Sequence, residues 1–417
     1  MKTNEKDTKQ GIVPVLRFPE FHGSKGWNLR PLSDYLTEYR QKSDGMSKVH
    51  SVSLSKGIVN QIEYLGRSFS ADDTSHYKLV KPYDVVYTKS PTGDFPYGIV
   101  KQNFNLYNVI VSPLYGIFTP NNRYIGYIIH SIFESAIRLN NYLSTLVQKG
   151  AKNTIQISND TFISKEVLLP DNDDEQQKIA DCLSSIDALI KATENKIDEL
   201  KAHKKGLMQQ LFPAEGKMVP TLRFPEFQNA GEWSNSLLGK YIEEFQKKSF
   251  VQDEFEVLTS SREGLIRQRE YYNNDRITER DNIGFNIIPP GYLTYRSRSD
   301  DRKFYFNENN LGITGIISTY YPVFHIINGY GKFFIELFSY YAEIIGKYSD
   351  GTSQTVLSLN RLKSIKLPIP TKSEQQKIAD CLSSVDNLII AQTNRLEALR
   401  SHKKGLMQQL FPNIDEC

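Results

Sequence analysis

Cysteine is scarce: the 417 residues hold three, Cys182, Cys381 and Cys417, with no C-x-x-C pair. That argues against a disulfide-built scaffold and predicts reduced thiols in a cytoplasmic protein. Long apolar runs are missing as well. The most apolar stretch, FFIELFSYYAEIIG at 333–346, is short and carries Glu336 and Glu343, whereas a membrane span needs roughly 20 apolar residues. The opening MKTNEKDTKQG is polar and has no h-region, so no secretory signal is expected. Charge of one sign does not dominate either. A net charge of +3 and a pI near 8.4 permit a nucleic-acid partner without demanding one. What remains, 39% hydrophobic and 24% charged residues, suits a globular chain of two or three domains.

Catalytic signatures are absent too. There is no Walker loop, no G-x-G-x-x-G and no G-x-S-x-G. The one Pro-Pro pair, IPPG at 288–291, lacks the flanking polar and aromatic residues of adenine-N6 methyltransferases, and no glycine-rich cofactor loop accompanies it. The seven histidines are scattered without the i, i+4 spacing of a helical metal pair. His203 and His402 recur at matching places, each beside two lysines, and read as solvated basic turns. No catalytic residue and no metal ligand is predicted.

What the chain does have is a repeat. VPVLRFPEF at 13–21 returns as VPTLRFPEF at 219–227, and Trp27 returns as Trp233. VSPLYGIF at 111–118 faintly matches ISTYYPVF at 317–324. The segment 175–213 returns at 374–412 with 28 of 39 residues identical. The bodies ahead of each tail share only scattered apolar positions. Segments with one shared task have stayed alike, and segments that share only a fold have diverged.

Each tail predicts a long helix with a coiled-coil seam. Ile179, Leu183, Ile186, Ile190, Thr193, Ile197, Leu200, Lys204, Leu207 and Leu211 alternate spacings of four and three. Ile378, Leu382, Val385, Ile389, Gln392, Leu396, Leu399, Lys403, Leu406 and Leu410 fill the same slots. Proline precedes each helix, Asp or Ser is expected at the cap, and Ser373 with Gln376 fits a capping box. Pro213 and Pro412 end them. About 37 residues at ~1.5 Å each give a rod of roughly 55 Å. Two matched copies predict an antiparallel intramolecular pair with pseudo-two-fold symmetry, which puts Cys182 and Cys381 at opposite ends. Lys204 and Lys403, in seam slots, either fix register or mark where the helices splay. Leu189, Leu388 and Ile390, beside the seam, are expected to pack on partner helices, the alternative being burial against the bodies.

The fold class is therefore α+β: two tandem bodies, each followed by a long helix. PYDVVYTKS (82–90) and PGYLTYRSR (290–298) read as strands, and KEVLLP and SIKLPIP as strands leading into the tails. Residues 121–137 and 331–348 read as helices with broad apolar faces. The expected boundaries are a flexible segment 1–12, bodies 13–170 and 214–369, and helices 171–213 and 370–412.

The bodies also offer basic and aromatic side chains in polar, turn-rich segments. Eight arginines fall between 262 and 302 of the second body, with seven acidic residues among them. Arginine suits bidentate contacts to guanine edges and to phosphates. The DNA-binding candidates there are Arg262, Arg267, Arg269, Arg276, Arg296, Arg298, Arg302 and Lys303. In the first body they are Lys42, Lys48, Lys56, Arg67, Lys89 and Arg123. A salt-bridged solvent face is the competing reading.

Two variable bodies, each followed by a P…EQQKIA segment opening a long helix, resemble the specificity (S) subunit of type I restriction–modification systems. The LRFPEF…W lead-ins and the Gly-Thr-Ser-Gln turn at 351–354 add to the likeness, which covers nearly the whole chain; the first copy departs there with KGAKNT (149–154). The resemblance implies two target-recognition domains, each reading one half of a bipartite, asymmetric DNA site, with the helices as a ruler. It implies no catalysis by this chain and no cofactor bound to it. The implied partners are double-stranded DNA, two methyltransferase subunits that use S-adenosylmethionine, and two restriction (motor–nuclease) subunits that use ATP and Mg. A stand-alone DNA-modifying or DNA-cleaving enzyme and a purely structural coiled-coil scaffold are the rival readings.

Overall fold

The computed structural model describes residues 11–70, 72–149, 155–262, 264–271, 281–352 and 354–412. The chain divides into two compact units. One runs to Thr193 and resumes at Arg395; the other is Glu194–Asn394. Each long helix is thus shared, its first part folding with one unit and its last part with the other.

The two units repeat one topology. In the first, strands Leu36–Glu38, Gly116–Pro120, Val85–Tyr87 and Val100–Gln102 lie side by side in that order, all antiparallel. In the second the order is Ile242–Glu244, Val323–Ile326, Leu293–Tyr295 and Phe306–Glu308. Register is repeated too: Val85 lies opposite Phe118, and Leu293 opposite Phe324. The faint match of 111–118 with 317–324 was therefore a true correspondence. The strand leading into each tail pairs with the strand after the lead-in, Leu29–Pro31 with Glu166–Leu168 and Ser234–Leu237 with Lys366–Ile369.

The alternation expected of 82–90 resolves into two buried faces. Val85 and Tyr87 enter the main core, while Val86 joins a small second cluster with Val80, Val109, Val111 and Ile117. The predicted helices 121–137 and 331–348 each break in two. The first stops at Phe133 and restarts at Ala136, where the Ser135 hydroxyl accepts from the Arg138 amide (3.4 Å). The second stops at Tyr340 and restarts at Ala342, because Tyr341 leaves helical geometry (ψ 21°) and donates its hydroxyl to the Pro213 carbonyl, 2.7 Å.

The long helices, Asp173–Leu211 and Lys372–Leu410, hold 39 residues each, about 58 Å at ~1.5 Å per residue. Their caps differ from the expected ones. Asn172 accepts from the Glu175 amide (3.1 Å) and Thr371 from the Glu374 amide (3.4 Å), so Ser373 lies inside the helix and forms no capping box. The glutamine behind each capped glutamate reaches back to the proline ahead of the helix, Gln176 to the Pro170 carbonyl at 2.8 Å and Gln375 to that of Pro370 at 3.0 Å. The prolines end the preceding strands, which is why the helices begin earlier than a Ser373 cap would allow.

Within each unit the start of one long helix meets the end of the other, so the helices run antiparallel there. In the first unit Lys403 pairs with Asp187 at 2.7 Å; in the second Lys204 pairs with Asp386 at 2.8 Å. Each lysine also holds a carboxylate of the body, Glu134 or Glu336. Both side chains are mostly buried, so they register the helices rather than marking a splay. Ile179, Leu183, Ile186, Ile197, Ile378, Leu382, Val385 and Leu396 are buried, while Ile190, Leu200, Ile389 and Leu399 are half-buried. The seam's ends serve the bodies: Ile179, Leu183 and Leu410 belong to the first core, and Ile378, Leu382 and Leu211 to the second. Leu189, Leu388 and Ile390 stay 46%, 52% and 56% exposed, which rules out their burial against the bodies. Cys182 and Cys381, both free, fall in different units.

The repeated lead-in has a clear task. Arg17 grips Glu175 with two charge-assisted bonds of 2.7 Å and donates further to the Ser24 and Lys25 carbonyls. Arg223 grips Glu374 in the same way, also at 2.7 Å twice, and donates to the Gly231 carbonyl. Glu175 and Glu374 are 1% exposed and lie in the first turn of a helix, where the macrodipole favours an anion. The lead-in also bonds the foot of the other helix, with Leu16 donating to Gln409 and Leu222 to Gln210. Trp27 packs on Phe411 at 6.1 Å and Trp233 on Phe212 at 6.2 Å. Each lead-in therefore joins the head of its own tail to the foot of the other tail.

Candidate nucleic-acid interface

In the second unit the candidate residues converge on one loop. Buried Tyr295 and Phe304 anchor its two ends, Tyr295 donating to the Leu357 carbonyl at 2.9 Å. Between them the chain turns tightly. Arg302 takes a left-handed φ of 58°, and Asp301 accepts from the Ser299 hydroxyl (2.8 Å) and the Lys303 amide (3.1 Å). The Ser299 bond above all holds the Asp301 carboxyl below the usual carboxylate range. Arg298 pairs across to Val356 and lays its guanidinium over Tyr320 at 4.3 Å. Arg302 donates to the Gly351 carbonyl (3.3 Å). Gly351 itself has φ +108°, with the Gln354 carbonyl only 2.6 Å from where a Cβ would stand. Gly351, the first residue of the Gly-Thr-Ser-Gln segment, thus sits against the arginine loop, while Ser353 lies outside the described residues.

Arg262, Arg296, Arg298, Lys303 and Tyr305 line a polar cavity of about 580 Å³. Arg262 lies over the Tyr305 ring and reaches Asp301 at 3.4 Å. Arg267 and Arg269 are tied to Glu270 (3.0 Å) and Glu256 (3.4 Å), as a salt-bridged face would have them. Arg276 lies outside the described residues. Among those described, Arg296, Arg298, Arg302 and Lys303 carry no carboxylate partner, so this loop can offer both cationic and stacking contacts.

The first unit spreads its candidates out. Lys48 and Lys56 sit on a hairpin, His50–Ser53 with Gly57–Asn60, and Arg67 follows it with its guanidinium over Phe69 at 4.4 Å. Arg123 opens a body helix and lies over Tyr124; the preceding Asn122 donates to Asp173 (3.1 Å) and Gln176 (2.8 Å) at the head of the long helix. Lys42 and Lys89 each come beside Lys78, a cation that sequence reasoning passed over together with Arg40: Lys42 pairs across to Lys78, and the Lys78 charge acts on Lys89 and feels Arg40. His203 and His402 are exposed, as expected of solvated turns.

Two mixed α/β domains with basic, aromatic surface loops, held on the paired ends of two long helices, define a tandem recognition protein. The family comparison makes that specific: the type I restriction modification DNA specificity domain matches residues 51–202 and 244–400, and the chain belongs to this family. It is similar to the type I restriction enzyme MjaVIII specificity subunit of Methanocaldococcus jannaschii, 25% identical over 269 residues, 57% of this chain and 59% of that relative. The chain thus spans less than two thirds of that relative's length. The crystal structure of a type I restriction–modification S subunit from M. genitalium has the same fold, with a TM-score of 0.58 at 14% identity, covering 97% of this chain and 100% of that one. No helix among the described residues is long and apolar enough to cross a membrane.

Proposed function

We propose that the chain reads a bipartite, asymmetric DNA site without catalysing a reaction itself. The body 13–170 recognises one half-site and the body 214–369 the other. Helices 171–213 and 370–412 set the spacer between the half-sites and dock two methyltransferase subunits. S-adenosylmethionine, ATP and Mg then act on the partner subunits, two restriction subunits among them.

One observation carries this reading: the two units share topology, register, latch and helix ends, yet differ in the exposed side chains of their loops. A shared scaffold serves identical partners, and divergent loops serve different half-sites. The exposed Leu189 of the first unit and Leu388 and Ile390 of the second supply apolar surface for docking.

The test is to exchange residues 22–155 for the corresponding body of another family member and map adenine methylation by the complex. One half-site should change and the other should not. A change in both would overturn the division of labour, and methylation or cleavage by the isolated chain would overturn the non-catalytic assignment. Inserting one heptad in both helices should lengthen the spacer and leave both half-sites unaltered.

A further inference from the structure

The two units can be compared side chain by side chain, because their hydrogen bonds correspond. Lys42 bridges Lys78 just as Lys248 bridges Asn286. Leu79 donates to the Gln41 carbonyl and Ile287 to that of Lys247, both at 2.9 Å. Ser43 donates to Tyr77 (2.8 Å) and Ser249 to Phe285 (2.9 Å). At this shared backbone the first unit has Arg40, Lys42, Lys78 and Lys89, where the second has Gln246, Lys248, Asn286 and Ser297.

The extra cations are not needed for the fold. Lys78 donates its ammonium to the Tyr115 carbonyl at 2.6 Å; in the second unit Asn286 donates to the corresponding Tyr321 carbonyl at 2.9 Å. A neutral amide fills the role without the cost of half-burying a charge. Lys89 is also half-buried and sits at a left-handed φ of 61°, with Gly98 so close that a Cβ there would stand 2.6 Å from the Lys89 nitrogen.

The local carboxylate is already committed. Glu38 accepts from Arg40 at 2.5 Å and from Asn159 at 2.7 Å, so both its oxygens are taken. Burial pushes the Lys78 and Lys89 ammonium values down, and Lys78 depresses Lys89 further. Arg40, Lys78 and Lys89 around the engaged Glu38, with Lys42 paired across to Lys78 and Asp160 acting on Arg40, leave a concentrated positive charge that a polyanion can complete.

We propose that Arg40, Lys42, Lys78 and Lys89 bind the phosphodiester backbone of duplex DNA in the first unit, and that the second unit, with Gln246, Asn286 and Ser297 in the corresponding positions, has no equivalent clamp. This rests on the reading of the chain as a DNA-recognition subunit. It adds that the first half-site is held by backbone phosphates at this place, whereas the second is held through the arginine loop 296–303. Phosphate contacts position a protein without reading sequence, so the clamp sets affinity and salt dependence rather than the half-site itself.

The test converts the first unit to the second unit's residues in the full chain: Arg40→Gln, Lys78→Asn and Lys89→Ser. Lys78→Asn can keep the Tyr115 bond, and thermal unfolding of the triple variant checks that the fold is retained. Binding to a long mixed-sequence duplex is measured across a salt series. The slope of log affinity against log salt should become shallower by about 2.7, since each neutralised phosphate contributes ~0.9 to it, with Lys248→Met as a control that leaves it unchanged. In parallel, acylation of Lys78 and Lys89 in the wild-type chain, followed by mass spectrometry, should drop when duplex is added. An unchanged slope, or unchanged labelling with DNA bound, overturns the clamp alone. Failure of the wild-type chain to bind any duplex overturns the DNA-recognition reading and the clamp with it.

Discussion

The two units solve one structural problem with different charges. In the first, Glu134 is met by two lysines, Lys101 at 3.0 Å and Lys403 at 2.9 Å, with the His130 ring at 3.3 Å. In the second, Glu336 has Lys204 at 2.8 Å, and Lys204 is shared with Asp386 at 2.8 Å. Burial opposes the charge of Glu134, yet His130, Lys101 and Lys403 together hold it well below the usual carboxylate range. Burial pushes Glu336 up; Lys204 opposes the shift and Asp386 adds to it. The equivalent lysines of the two helices thus meet body carboxylates of opposite character: Glu134, just past its body helix, is held in the charged form, and Glu336, inside its body helix, is pushed towards the neutral one. What is duplicated is the scaffold and its latch, not the electrostatics.

The largest expected effect tests the sharing of helix ends. Deleting residues 395–417, at the far end of the sequence, should unfold the first unit, because Leu410 and Phe411 belong to the core around Trp27. Hydrogen exchange should show diminished protection in 27–168 and retained protection in the second core. Phe411→Ala, the gentler version, should cost the first unit about 3–5 kcal/mol, and Phe212→Ala the second unit a similar amount.

Next in size is the latch. Arg17→Ala leaves Glu175 buried without its partner, and Arg223→Ala does the same to Glu374, each costing about 3–5 kcal/mol in denaturant unfolding. Equal losses would establish the latches as equivalent. Trp233 donates to Glu374 at 3.3 Å, whereas Trp27 Nε1 is buried without a partner among the described residues, so any inequality should favour the second unit.

A smaller effect, of opposite sign in the two units, comes from neutralising the node carboxylates. Glu134→Gln should destabilise by about 2 kcal/mol by removing charge-assisted bonds, while Glu336→Gln should be neutral or stabilising at neutral pH. The pH dependence separates them further. Glu134, depressed in the folded state, contributes stability that is complete above the ordinary value of 4.5 and fades as pH falls below it. Glu336, raised in the folded state, contributes stability that is complete below 4.5 and fades as pH rises through its elevated value. Unfolding of both variants against the wild type, at neutral and mildly acidic pH, measures the difference.

The smallest effect on stability is expected at the exposed apolar residues of the second helix. Leu388→Gln with Ile390→Gln should shift unfolding by no more than ~0.5 kcal/mol. If these side chains dock a methyltransferase subunit, the same pair should sharply reduce its co-purification.

The long helices were legible because their signals are local: apolar spacing, prolines on both sides, and acidic residues in the first turn. The strands around 85–87 and 293–295 were legible for the same reason. The helix breaks after Phe133 and Tyr340 were not, since both follow from contacts remote from the break or from one cap among many hydroxyls. The arginine loop of the second unit was visible as composition. Its partition into tied residues (Arg267, Arg269) and unpaired ones (Arg296, Arg298) depended on where Glu270 and Glu256 fell. Arg40 and Lys78 escaped notice because, 38 residues apart in sequence, nothing local marks them as neighbours. Only the pairing of 41–43 with 77–79 puts Lys78 beside Lys42, and only the folded sheet brings it within reach of Lys89.

The sequence by itself determined that there are two bodies and two matched helices, and that the helices end where proline forbids their continuation. Periodicity and backbone chemistry act within a few residues, so they can be read without a fold. Tertiary structure alone decided which helix end closes which body, why Arg17 and Arg223 recur, and where Arg40, Lys78 and Lys89 gather around Glu38. Those outcomes join residues far apart in the chain, and no local pattern encodes which distant partner a buried charge or ring will meet.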